Sequence, residues 1–261
     1  MIPITVCNHK GGTGKTTSTI MIAAALGMSD HSVLVVDLDP QGFLTRMMGV
    51  PEPEPASSAC AIFEQESRFQ REMLVSVGGF ELLPASTRLS TDMRRLNRPT
   101  DVLWTKEYTE RHLGDWDYVI FDTAAALTVF TLNALAASRQ VVIPVLPEYQ
   151  PVVGAEQTYQ TAVTVGRKLN PDLERPMMLL TMVDARKRNH LAYENYLRQR
   201  YGSQVLEARV RTSAALSTTR HDGKTAFDFD PRGRGAMDYA AVVDELAGRM
   251  QSAGSEVARA S

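Results

Sequence analysis

The stretch that most constrains this chain lies at its start. A short apolar run, Ile2 to Cys7, passes into Lys10-Gly11-Gly12-Thr13-Gly14-Lys15-Thr16-Thr17, and a helical pattern then continues to about Leu26. A buried strand, a glycine-rich turn and a helix N-terminus together make an anion cradle, because the turn's N–H groups and the positive end of the helix dipole converge on one point. Glycine at 11, 12 and 14 opens backbone angles closed to other residues and lets the chain approach phosphate oxygens closely. In such a loop Lys15 reaches the β- and γ-phosphates, and the Thr16 hydroxyl serves Mg²⁺. The expectation is a nucleoside triphosphate site built from Gly11, Gly12, Thr13, Gly14, Lys15, Thr16 and Thr17.

Two further apolar runs end in acids. Val33 to Gln41 reads V-L-V-V-D-L-D-P-Q, and period-two alternation sets Asp37 and Asp39 on one side if the strand reaches that far. Trp116 to Asp122 reads W-D-Y-V-I-F-D, the form of a Walker B strand whose acid holds Mg²⁺ directly or through water.

Strands are expected at Ile2–Cys7, Ser32–Asp37, Phe80–Pro84, Tyr118–Asp122, Gln140–Pro144 and Met177–Met182. Helices are expected near Lys15–Gly27, Thr128–Ala137, Gly154–Leu169, Asn189–Tyr201 and Ala236–Met250. This alternation predicts an α/β fold, a doubly wound, mainly parallel sheet with helices on both faces. Ligands of such sheets bind beyond the carboxyl ends of the strands, where all these motifs fall. Val50–Pro55, V-P-E-P-E-P, reads as an extended connection, and residues 57–113 read as mostly helical. One ATPase-sized unit over 1–250 and a frayed tail over 251–261 complete the expected organisation.

Composition excludes several classes. No stretch nears the roughly 20 apolar residues of a membrane span, and the N-terminus carries no signal-like core. Cys7 and Cys60 are the two cysteines, with no C-x-x-C pair, so neither a disulfide framework nor a metal cluster is expected and the cytoplasm is the natural compartment. The net charge of −2 hides an asymmetry. Residues 1–166 carry 12 Lys/Arg against 18 Asp/Glu, whereas 167–234 carry 14 against 8. A basic segment on an acidic chain is a candidate polyanion surface, or an ordinary solvated helix face.

The general phosphate-loop pattern requires glycine at position 9, where this chain has His9; a second lysine, Lys10, stands at the front of the loop instead. K-G-G-T-G-K-T-T resembles the deviant Walker A box of the ParA/MinD superfamily. The resemblance implies that Lys10 reaches across a dimer interface to the partner's phosphates, acting as an arginine finger does, a device worth roughly 10³–10⁵ in rate. D-L-D-P-Q-G resembles the family's segment after its second strand and implies that Asp39 orients the attacking water, with Asp37 closer to Mg²⁺. Pro144 to Tyr149, Gly154 to Gln157, Thr181 to Arg186, Gly223-Lys224 and Asp230 to Ala236 also resemble the family, which extends the likeness from residue 1 to about 250. The T-M-x-D-x-R stretch places Asp184 where GTPases carry N-K-x-D, and the absence of that motif favours adenine. The family's two prolines after the Walker B acid are missing; Thr123 to Ala126 stand there, making a less stiff loop.

The implied activity is a slow, Mg²⁺-dependent ATPase that forms a homodimer on ATP, binds double-stranded DNA non-specifically and positions a DNA or protein cargo until a ParB-like or other adaptor triggers hydrolysis. Cytoplasmic, nucleoid-associated residence follows. The family's P-R-N-x-R-L-like arginines are replaced here by Thr212 and Ala215, so DNA contact is expected from Arg186, Lys187, Arg188, Arg220 and Lys224, through phosphate neutralisation. Because the sequence opens on its first strand, no helix-turn-helix region and no operator-specific repression are expected. Three rivals remain. A MinD-like membrane switch needs a basic, bulky amphipathic tail, which Glu256 to Ser261 does not offer. A redox ATPase like nitrogenase iron protein needs cluster cysteines. A non-hydrolysing scaffold is disfavoured by the presence of Lys10, Asp39 and Asp122.

Overall fold

The computed structural model describes residues 1–65, 68–217 and 222–260, the stretch 252–260 as backbone only. Seven strands form one sheet: β1 (Ile2–Val6), β2 (Val33–Asp37), β3 (Val75–Val77), β4 (Phe80–Leu83), β5 (Tyr118–Asp122), β6 (Gln140–Val145) and β7 (Met177–Leu180). Their order is β3-β4-β2-β5-β1-β6-β7. Every neighbouring pair is parallel except β3 with β4. The doubly wound, mainly parallel α/β sheet is therefore as expected.

The helices described are α1 (Lys15–Met28), α2 (Phe43–Met47), α3 (Leu89–Arg95), α4 (Trp104–His112), α5 (Val129–Ala137), α6 (Tyr149–Lys168), α7 (Arg188–Tyr201), α8 (Ala214–Ser217), α9 (Ala226–Phe229) and α10 (Arg234–Ala260). Strand alternation divides the apolar core between two faces. Ile4, Val6, Val33, Val35, Ile120 and Leu179 meet α1 and α10 through Ile22, Ala23, Leu26, Tyr239, Val242 and Leu246. The intervening strand residues turn the other way: Leu34, Val36, Val119 and Phe121 toward Phe130 of α5, and Val141, Ile143, Met178 and Leu180 toward Ala155 of α6 and Leu197 of α7. Each fully buried Val, Leu, Ile, Phe or Met among them stabilises by about 1.5–3 kcal/mol.

Several element bounds differ from those expected. β3 was not foreseen, and with its turn at Gly78-Gly79 it makes residues 57–113 a mixture of hairpin, short helices and 3₁₀ turns. β7 stops at Leu180, because Met182 takes a left-handed φ of 50° that a strand cannot hold. α6 begins at Tyr149, ahead of Pro151, because a proline in the first turn lacks an N–H that would have found no partner there. The backbone of α10 is helical to Ala260, ten residues past the Met250 expected from the sequence.

Candidate nucleotide site

β1 releases the chain at the carboxyl edge of the sheet, and the loop that follows is fastened on several sides. The Cys7 N–H donates to the Val142 carbonyl at 3.2 Å. Asn8 donates through Nδ2 to the Pro144 carbonyl at 2.8 Å and accepts at Oδ1 from the Lys10 N–H at 2.9 Å. The His9 N–H donates to Thr158 Oγ1 on α6, 2.9 Å away. Gly154 of α6 lies so close that a Cβ there would stand 2.9 Å from the Lys10 Cβ and 3.0 Å from Asn8 Oδ1. Within the loop Gly12 and Gly14 hold φ of 74° and 82°, and Gly14 caps α1 in the left-handed conformation. The Thr13 carbonyl accepts from Thr181 Oγ1 at 2.9 Å, which joins the loop to the exit of β7.

The two lysines behave oppositely. Lys15 is 8% exposed, and its Nζ donates to the Lys10 carbonyl at 3.1 Å, so its ammonium is folded over the loop. Burial lowers its pKa, against the pull of the Asp122 carboxylate, the Cys7 sulfur and Asp39. Lys10, at the mouth, is exposed, as are Gly11 and Gly12, while Thr16 and Thr17 are half-buried. Cys7 is a core residue whose thiol burial pushes up to about 12.

Asp37 and Asp122 pair in register across β2 and β5, both wholly buried. Asp122 accepts from Thr16 Oγ1 at 3.0 Å on Oδ2 and from Thr19 Oγ1 at 2.8 Å on Oδ1. Asp37 accepts at Oδ2 from Thr45 N–H and Oγ1 at 3.0 and 2.7 Å, and at Oδ1 from the Asp39 N–H at 3.1 Å. Desolvation raises both pKa values; the Asp37 and Asp39 carboxylates raise that of Asp122 further, and Asp39 raises that of Asp37. Asp37, expected beside Mg²⁺, thus has both oxygens engaged within the chain and holds the first turn of α2. Asp39 is 8% exposed and oriented by a 2.9 Å bond from the Gln41 N–H to Oδ1.

The donor set suits a hard divalent cation that also touches phosphate. Among the described residues no group of three or more His, Cys, Asp or Glu side chains could hold a metal. A cation here must therefore take most of its oxygens from water and a bound phosphate, as Mg²⁺ does. Thr16 commits its single proton to Asp122, which leaves its oxygen lone pairs free for a metal.

A second cluster lies at the exit of β7. Arg186, Arg209, Arg211 and Arg234 line one groove of about 490 Å³ with Asp184 and Thr212. The groove brings Arg209, Arg211 and Arg234 together with Arg186; the basic excess over 167–234 was their signal in the sequence. Asp184, expected at the base, is gripped by Arg186 through Nε and Nη2, each at 2.9 Å, and those bonds hold its carboxyl well below the usual range. Arg209 pairs with Glu194 at 2.9 Å and Arg211 with Asp238 at 2.6 Å, so these guanidinium groups are partly neutralised. Lys187 reaches Glu148 at 3.3 Å and Arg188 opens α7; both are exposed at the same loop. Lys224 stands apart from the groove, beside Met47, Met48 and Phe229, and Arg220 lies outside the described residues. Thr212, where the resemblance expected arginine, donates through Oγ1 to the Met182 carbonyl at 3.1 Å.

Comparison with known proteins agrees with this geometry. A family model described as an AAA domain matches residues 1–175. The chromosome-partitioning ATPase Soj of Thermus thermophilus is 34% identical, over 96% of this chain and 97% of that protein. The sporulation initiation inhibitor protein Soj of Bacillus subtilis is 30% identical, over 94% of this chain and 97% of that protein. A solved structure of cobyrinic acid a,c-diamide synthase from Mycobacterium smegmatis, with bound ATP analogue and magnesium, superposes with a TM-score of 0.77 at 29% identity, covering 97% of each chain.

Proposed function

Because the chain belongs to the ParA/Soj family of partition ATPases within the ParA/MinD superfamily, we propose that it is a Mg²⁺-dependent ATPase that closes into a homodimer on ATP, binds double-stranded DNA without sequence preference and positions a cargo. A ParB-like or other adaptor stimulates hydrolysis and releases it. The observation that carries this is the division of labour between two lysines of one loop: Lys15 is folded inward over the cradle, while Lys10 is held by its backbone to Asn8 and exposed at the rim. A cation exposed there is positioned to serve a neighbour's phosphates.

Gly11 to Thr17 bind the phosphates through backbone N–H groups and Lys15. Thr16 and Asp122 hold Mg²⁺, which when bound neutralises charge on the β- and γ-phosphates. Asp37 adds negative charge beside them while tying α2 to the site. Asp39 orients water in line, its carboxylate fixed by the Gln41 N–H. Asp184, in the stretch at the exit of β7, faces the base, which we assign as adenine. The Arg186 groove with Lys187 and Arg188 supplies phosphate contacts to DNA, doubled by the dimer and hence strongly salt-dependent. Residence at the nucleoid in the cytoplasm follows from that binding. No helix among the described residues is long and apolar enough to cross a membrane, and ATP should not make the protein float with vesicles.

The deciding experiment is a DNA shift assay with ADP, ATP and a non-hydrolysable analogue across a salt series. Binding is expected with ATP and the analogue, weakening steeply with salt. Equal binding in ADP would sever DNA from the nucleotide-driven dimer.

A further inference from the structure

Asp122 is held from two positions on α1 one turn apart, and only one of them belongs to the phosphate-loop motif. Thr16 and Thr19 are i and i+3 on the same helical face. Thr16 is half-buried and addresses Oδ2; Thr19 is fully buried and addresses Oδ1. The Thr19 hydroxyl has a single proton and two acceptors in reach, Asp122 Oδ1 at 2.8 Å and the Lys15 carbonyl at 3.2 Å. The shorter bond takes the proton.

This bond fixes the carboxylate plane from its inner side. With Oδ1 held by a buried hydroxyl, Oδ2 is the oxygen presented to Thr16 and to the rim of the loop. A carboxylate without that brace could turn about its terminal torsion, which is broad and two-fold, and lose its aim at Thr16. Metal-binding carboxylates depend on such outer hydrogen bonds, and removing one commonly weakens metal affinity by roughly 10–100-fold.

We propose that Thr19 is a positioning residue for the metal: its hydroxyl locks Asp122 so that Oδ2 stays directed at the cation held with Thr16. The proposal rests on the assignment of Thr16 and Asp122 as the Mg²⁺ pair. Thr19 never meets the nucleotide in this scheme, so its effect must pass through the metal alone.

The test compares the affinity of a non-hydrolysable ATP analogue in saturating Mg²⁺ and in EDTA, by calorimetry on the full chain. The ratio of the two constants measures the coupling between metal and nucleotide. Thr19→Val, which keeps shape and removes the hydroxyl, is expected to reduce that ratio roughly tenfold or more while the EDTA value stays at wild type. Thr19→Ser, which keeps the hydroxyl, is expected to restore it, and Thr19→Ala to resemble Val. The Ser–Ala comparison carries the same contrast if the valine variant does not fold. A wild-type ratio in Thr19→Val, or equal ratios in Ser and Ala, would overturn the proposal. Asp122→Asn separates the two levels. A loss there with none at position 19 overturns the role of Thr19 alone, whereas no loss in either removes the metal assignment and the proposal together.

Discussion

Asp37 and Asp122 stand opposite one another on adjacent parallel strands, and each is hydrogen-bonded by threonine from a different helix, Thr45 of α2 for the first and Thr16 with Thr19 of α1 for the second. Neighbouring strands are about 4.8 Å apart, so two buried carboxyl groups share one small region and oppose each other's ionisation. Hydroxyl and N–H donors offset part of that repulsion. The helix after the phosphate loop and the helix after Asp39 are thereby linked through one pair of strand ends.

Thr45 is the most exacting member of that link. Its hydroxyl donates to Asp37 at 2.7 Å and accepts from the Ala85 N–H at 2.9 Å. Thr45→Val preserves volume but leaves Ala85 without that acceptor and Asp37 with one donor fewer on Oδ2. A destabilisation of about 1–3 kcal/mol is expected, read as a lower urea midpoint at unchanged slope.

The two loop lysines should separate cleanly. Lys15→Ala is expected to abolish ATP binding in calorimetry. Lys10→Ala is expected to bind ATP but to remain monomeric by light scattering with the analogue and Mg²⁺. Dimer formation by Lys10→Ala would contradict the role of that residue in the partner's site.

Asp39→Ala is expected to bind ATP and dimerise, with phosphate release roughly 10²–10⁴-fold slower, the range for a positioned catalytic group. Wild-type turnover in the presence of DNA would assign the water to another residue.

Charge reversal at the β7–α7 loop reads the DNA surface. Lys187→Glu with Arg188→Glu should weaken binding uniformly across sequences and flatten the salt dependence, by about 0.9 in slope for each DNA phosphate no longer neutralised. An unchanged slope would move the DNA surface elsewhere.

Acid should loosen the proline-rich connection through Glu52. Burial raises the pKa of this carboxyl, but bonds at 2.8–3.0 Å from Thr87 N–H, Ser86 Oγ and Thr87 Oγ1 outweigh it and the net shift is downward. A carboxyl whose pKa is depressed on folding contributes stability above its unfolded value of about 4.3 and loses it as pH falls further toward the folded value. Glu52→Gln should therefore lose stability at pH 7 and differ little from wild type near pH 3, as followed by thermal melts.

The central sheet was legible because its strands are continuous apolar runs closed by motif residues; Tyr118–Asp122 ends where the Walker B acid demanded. Val75–Val77 was not, since three residues cannot display a period and an edge strand is defined by its partner. The phosphate loop was readable because its chemistry dictates its spelling. Thr19, Thr45 and the gathering of Arg209, Arg211 and Arg234 around Arg186 were hidden, because their partners lie far away in sequence and only folding brings them together. The pairing of Asp184 with Arg186 two residues on was equally unreadable, since side-chain direction in a loop is set by the fold.

Ser18 of α1 and Tyr239 of α10 are hydrogen-bonded at 2.8 Å inside the core, next to Val242, Val243 and Leu246. The outer cover of the nucleotide-binding helix is therefore synthesised 221 residues after the helix it shields. Until α10 leaves the ribosome an apolar flank of α1 is bare. The helix that begins at the phosphate loop is among the first elements made and among the last to be fully buried.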